Sequence, residues 1–159
     1  MTTDSSVIND FFLTRIRDYR LDSVYSTSGS FVLNQYVEPW LIDATVQFTP
    51  YCVEDLTYIP TSGSQTGYFL ADLSLEVRNI ISQIMVKFWL EKTVQDVLQM
   101  QNFVTDRDFK TFSSAQNLRA KQDYLIVKIE EIDKLISDYE YRKQVNWNNW
   151  QNQQFNVFN

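Results

Sequence analysis

Residues 117–143 read NLRAKQDYLIVKIEEIDKLISDYEYRK, and their spacing decides the class of fold. Leu118, Gln122, Leu125, Ile129, Ile132, Ile136 and Tyr139 follow one another at alternating steps of four and three residues. A helix returns to the same face at those steps, so the seven residues form one stripe at the a and d positions of three heptads, with Gln122 its polar member. Glu130 and Glu131 fall on the outward side between Lys128 and Lys134, a pattern of i,i+4 ion pairs on a solvated face. An apolar stripe of this length requires a partner, either a second chain in a coiled coil or a second helix in a bundle.

The preceding sequence supplies such a helix, from about Ala71 to Met100. Leu73, Val77, Ile81, Ile84, Met85 and Phe88 make a wide apolar stripe, and Ile80–Leu90 is apolar almost all round, as in a buried central helix. Thr93 marks a kink, after which Val94, Val97 and Leu98 continue the stripe. From Tyr68 to Asn159 there is neither glycine nor proline, which favours long helices. The next helix begins at Thr105, with Asp108 three residues on as in a capping box, or at Ser113, and it runs to about Arg142. The two helices are expected to pair as an antiparallel hairpin, with Trp89 and Trp40 in the core.

Towards the N-terminus, Asp4, Ser5 and Ser6 offer capping oxygens for a first helix, about Ser5 to Leu21. Ile8, Phe12, Ile16 and Tyr19 recur on its inner face, with Phe11 beside them. The segment DSVYSTSGS, 22–30, reads as a loop. Pro39 suits the first position of a second helix, about Glu38 to Phe48. Weak alternation over 44–48 makes a strand the competing reading. Residues 49–67, with Pro50, Pro60 and the run SGSQTG, form a long connection of a length that often carries function. Thr57–Ile59 within it suits a short strand or a segment extended along a neighbour.

The last residues, 144–159, read QVNWNNWQNQQFNVFN, with no charged side chain. Asparagine disfavours helix, so the preceding helix is expected to end near this point. Trp147, Trp150, Phe155 and Phe158 are four large anchors of the kind that dominate interfaces, and Asn and Gln supply donors and acceptors for a groove or a sheet edge. Exposed on a free tail they invite aggregation. The expected role is docking onto another protein; a frayed terminus or a tail folded back on its own domain are the alternatives. The expected fold is thus mainly α: a helical bundle with a long helical hairpin and a long loop over residues 1–143, and an extended C-terminal arm over 144–159.

Little in the sequence points to catalysis. The 159 residues contain no histidine, the commonest general base and metal ligand, and one cysteine. No phosphate-binding glycine loop or nucleophile elbow is present. Asp106 and Asp108 read as acids at a helix start rather than metal ligands, Glu54 and Asp55 as solvated loop acids, and Cys52 as a small packed hydrophobe. We therefore expect no enzyme, no cofactor and no metal site. A net charge of −6, with no basic cluster beyond Arg142–Lys143, argues against direct nucleic-acid binding. The single Cys52 and the lack of glycosylation sequons fit a reducing cytoplasm. No leader-like or membrane-spanning stretch is expected.

In order, the chain offers a short helix, VINDFFLTRIRDYRLD, then PWLIDATVQF, a long loop, a central helix carrying IISQIMVKFWLEKTV, a further long helix and a C-terminal arm. This pattern resembles the head-to-tail connector, or adaptor, proteins of tailed bacteriophages, particularly the short-tailed and crAss-like ones. The resemblance covers most of the chain and rests on architecture rather than on a diagnostic motif. It implies a virion protein of the neck, made in the host cytoplasm and assembled as a ring, usually dodecameric, beneath the portal. The arm 144–159 would insert against the portal, and the other end would receive tail proteins. The first helix and the loop 49–67 would meet neighbouring subunits. DNA would pass through the ring without sequence-specific binding, and an acidic wall would not grip its phosphates. A cytosolic helical adaptor or assembly chaperone without catalytic activity is the alternative reading.

Overall fold

A computed structural model describes residues 2–16, 19–103 and 111–156. Three short strands, β1 (Thr3–Asp4), β2 (Tyr58–Ile59) and β3 (Tyr68–Phe69), accompany four helices: α1 (Ser5–Arg15), α2 (Tyr19–Phe48), α3 (Leu75–Phe103) and α4 (Thr111–Asn156). The fold is mainly α, as the apolar spacing requires. α3 is the central helix, packed against α1, α2 and α4.

α1 starts where Asp4 accepts a hydrogen bond from the Ser6 N–H at 2.8 Å. Ile8 and Phe12 are fully buried on its inner face. It ends at Arg15 rather than near Leu21, because Ile16 turns extended at φ −113°, ψ 144°. The turn lets Ile16 and Leu21 both enter the core.

The expected loop over 22–30 is instead helical, apart from Gly29. α2 is two helical pieces that meet at that glycine, whose φ of 81° and ψ of 176° lie where side chains other than hydrogen clash. The second piece buries Leu33, Val37, Leu41, Ala44 and Phe48 at helical spacing, which excludes the strand reading of 44–48. Pro39 sits inside this helix rather than at its start. Its missing N–H leaves the Gln35 carbonyl without its i+4 donor, and both residues are exposed, where water can satisfy that carbonyl.

The long connection is partly structured. β3 lies between β1 and β2, antiparallel to both, with Thr3 opposite Phe69 and Tyr58 opposite Phe69 in the two registers. Ser62 and Gln65 exchange backbone hydrogen bonds of 3.0 and 3.1 Å across the turn between β2 and β3. Thr3 also accepts from the buried Leu73 N–H at 2.8 Å, and its own N–H donates to the Ala71 carbonyl. Those bonds hold 71–73 outside the helix, so α3 starts at Leu75 and not at Ala71. Ser74 caps it through the Val77 N–H.

α3 and α4 pair antiparallel: Arg142, late in α4, forms an ion pair with Glu76 at the start of α3. Ile132, Ile136 and Tyr139 are buried in the seam, and Leu125 and Ile129 are half-buried. Trp40 and Trp89 are half-buried against the same core. α4 does not end near Arg142, and 144–156 are not extended: the helix continues to Asn156. Nothing between Arg142 and Asn156 breaks a helix as glycine or proline would, and propensity is a weak prior beside continuity. The expected helix start at Thr105, the acids Asp106 and Asp108, and the anchor Phe158 lie outside the described residues. No helix among the described residues is long and apolar enough to cross a membrane.

Candidate functional site

The site is the end of the hairpin from which α4 emerges, and Tyr139 is its base. Its ring is fully buried and meets Phe48 edge-on at 5.3 Å between centroids. Its hydroxyl oxygen accepts from the Val53 N–H at 3.4 Å and lies 3.5 Å from the Cys52 thiol. Burial pushes the ionisation of both groups up, so each stays neutral near pH 7. Lys143 stands over the outer side of the Tyr139 ring at 5.1 Å. One α4 residue thus ties the end of α2 and the start of the loop to the hairpin.

Two loop carboxylates that read as solvated have structural partners. Glu54 accepts from the Ser74 N–H at 2.8 Å, which adds a negative group at the N-terminus of α3. Asp55 closes a local turn by accepting from the Thr57 N–H and hydroxyl at 2.9 and 2.6 Å, and those bonds hold its carboxyl below the usual value. Glu38, on α2, was not singled out by spacing. It accepts from the Tyr58 hydroxyl and the Thr61 N–H, both at 2.7 Å, and so pins the sheet to the helix. Glu131 pairs with Lys128 at 3.0 Å on the outer face of α4, an i,i+3 rather than an i,i+4 pair. Among the described residues, no group of three His, Cys, Asp or Glu is placed to hold a metal.

Beyond the Arg142–Glu76 pair, α4 has passed the start of its partner helix. The segment 144–156 extends it by roughly 18 Å at 1.5 Å per residue. The four-three alternation past Tyr139 reaches positions 143, 146 and 150, so Trp150 falls in register with the stripe and Trp147 one position beside it on the continuing helix. Trp147, Trp150 and Phe155 all belong to this one continuous helix. Beside this exit a groove of about 680 Å³ lies between Phe11, Leu75, Ile80 and Leu135, with Glu76 and Arg142 at its rim.

Fold and site together define a mainly α protein built on an unequal helical hairpin, whose longer member carries an uncharged, aromatic-bearing end past the bundle. Comparison with known protein families, with curated proteins and with solved structures finds no match.

Proposed function

We propose that the chain is a structural, non-catalytic virion protein: one subunit of a head-to-tail connector ring that docks onto the portal through residues 144–159 and links it to tail proteins. The observation that carries this reading is that α4 runs unbroken to Asn156 beyond the Arg142–Glu76 pair at the start of α3, with Trp150 in register with the hairpin stripe and Trp147 beside it. A helix whose sealing face outlasts its own partner is built to be completed by another protein. The order of elements adds the architectural resemblance to connector proteins.

The mechanism is assembly. A free subunit makes weak contacts. When arms seat side by side on a preformed ring, each subunit holds the next at high effective concentration, and the avidity of the whole exceeds that of one arm. Aromatic anchors that leave water at the interface supply most of the affinity. The net charge of −6 keeps a channel lined by such subunits from gripping passing DNA.

Incorporation of full-length W147E/W150E into particles tests this reading. The variant is expected to fold as the parent does and to be lost from purified particles. Equal incorporation of variant and parent would overturn the connector reading in favour of a cytosolic adaptor or assembly chaperone.

A further inference from the structure

The second piece of α2 is apolar on two sides. Leu33, Val37, Leu41, Ala44 and Phe48 face the core, while Val32, Tyr36, Pro39, Ile42 and Val46 form a row on the opposite side that is open to solvent. Val46 is 67% exposed. Within that outward row the one charged residue is Asp43, because Glu38 turns aside to Tyr58 and Thr61. Tyr36 is braced from one flank, edge-on to Trp40 at 5.8 Å and beneath Lys92 at 5.6 Å. A solvated helix face would be expected to carry charge; this one presents a braced aromatic and three aliphatic side chains.

Three observations identify the occupant. The first is length. From Val32 to Val46 the row spans roughly 21 Å, and the segment 144–156 spans roughly 18 Å, so one helix can lie along the other. The second is charge. Copies of a chain with a net charge of −6 repel one another, and a contact between nearly uncharged surfaces, as this row and 144–156 are, adds no further like-charge repulsion. The third is direction. The row stands level with the middle of α3, where Gln47 bonds Lys87 and Tyr36 meets Lys92. α4 passes the C-terminal end of the row, where Phe48 meets Tyr139, and runs onward past Glu76 without a break to Asn156. A continuous helix that points away from the row cannot fold back onto it within the same molecule.

We propose that the outward row of α2 is the seat for the helical segment 144–156 of a second copy of this chain. The contact joins two different surfaces, so it is head-to-tail, and successive contacts close a ring or run on as a chain according to their rotation. The inference rests on the arm being a docking element, and it concerns the protein by itself. A portal would then compete with a neighbouring subunit for the same arm.

The experiment uses three full-length proteins in sedimentation velocity over a concentration series: the parent, the row variant Y36E/V46E and the arm variant W147E/W150E. Both row positions are exposed, and unchanged circular dichroism and thermal midpoint would show that the variants fold. The parent is expected to at least double its mass as concentration rises, while each variant alone stays monomeric. An equimolar mixture of the two variants should recover a one-to-one complex, because one retains the arm and the other the row. A parent that is monomeric throughout, association that survives either pair of substitutions, or variants that do not complement each other would each overturn the proposal. None of these readouts involves a portal. A recovered complex together with equal incorporation of W147E/W150E and parent into particles would therefore remove the connector reading alone, and no complex together with loss of W147E/W150E from particles would remove this inference alone.

Discussion

A buried phenol must stay neutral, and Tyr139 and Tyr58 are both held above their ordinary ionisation value of 10 chiefly by burial. In the unfolded chain the same groups ionise near 10. Their contribution to stability is therefore intact below about pH 10 and is lost as pH rises above it. The Y139F variant leaves the Val53 N–H without its acceptor and should cost about 0.5–1.5 kcal/mol in urea melts at neutral pH. It should also show a shallower loss of stability above pH 10 than the parent. Asp55 acts in the opposite sense: its lowered value makes a small contribution that is present above the ordinary carboxyl value and fades as pH falls below it. Gly67 is constrained by contact rather than by conformation. A Cβ there would lie 2.1 Å from the Tyr58 hydroxyl and 3.0 Å from a Glu38 oxygen. G67A should therefore push apart the bond that pins the sheet to α2 and cost about 1–3 kcal/mol, measured as a shift in urea midpoint. Neither Glu38 nor Gly67 was legible in the sequence, since their partners come from segments that only the fold brings together.

At the scale of elements, the alternation of four- and three-residue steps predicted both the hairpin and its inner face. In the run Leu125–Ile126–Val127 every residue is apolar, yet the register alone separates the half-buried Leu125 from the exposed Ile126 and Val127. That separation is testable. I132A, in the buried seam, should destabilise by about 2–5 kcal/mol. I126A, at 56% exposure, should change stability by less than about 0.5 kcal/mol in the same denaturation series. α2 was harder to read. Its polar N-terminal part has a loop's composition, and Pro39 resembles a start signal, so 22–30 reads as a loop and 31–37 falls in no expected element. One glycine carries the break instead. Nothing crowds a side chain at Gly29, but its backbone angles suit glycine alone. G29A should then cost about 1–3 kcal/mol through backbone strain only, read from the thermal or urea midpoint. Helix over 31–37 as well as 38–48 brings Val32 and Tyr36 into one outward row with Pro39, Ile42 and Val46.

For the whole molecule, the decisive relation is the unequal length of α3 and α4. The seam and the contacts around Tyr139 hold the bundle, whereas 144–156 continue α4 beyond the Arg142–Glu76 pair. The W147E/W150E protein should accordingly keep the thermal midpoint of the parent while it loses its partner. A fall of several degrees would instead mark those positions as part of the bundle's own core, because about 1 kcal/mol moves the midpoint of a domain of this size by a few degrees.

The sequence by itself determined the class of fold, the existence of the hairpin and the uncharged, aromatic character of its end. Each of these is local: periodicity sets a helical face, the absence of glycine and proline sustains a helix, and composition sets what a segment can bury. Only the tertiary structure decided where α3 begins beside α4, at the Arg142–Glu76 pair, and that α4 runs on as helix to Asn156. It also decided that two faces of α2 are apolar, with one left open. These outcomes depend on how far one helix slides along another and on which side a third one packs. The long-range burial of side chains sets both, and no local pattern in the chain encodes it.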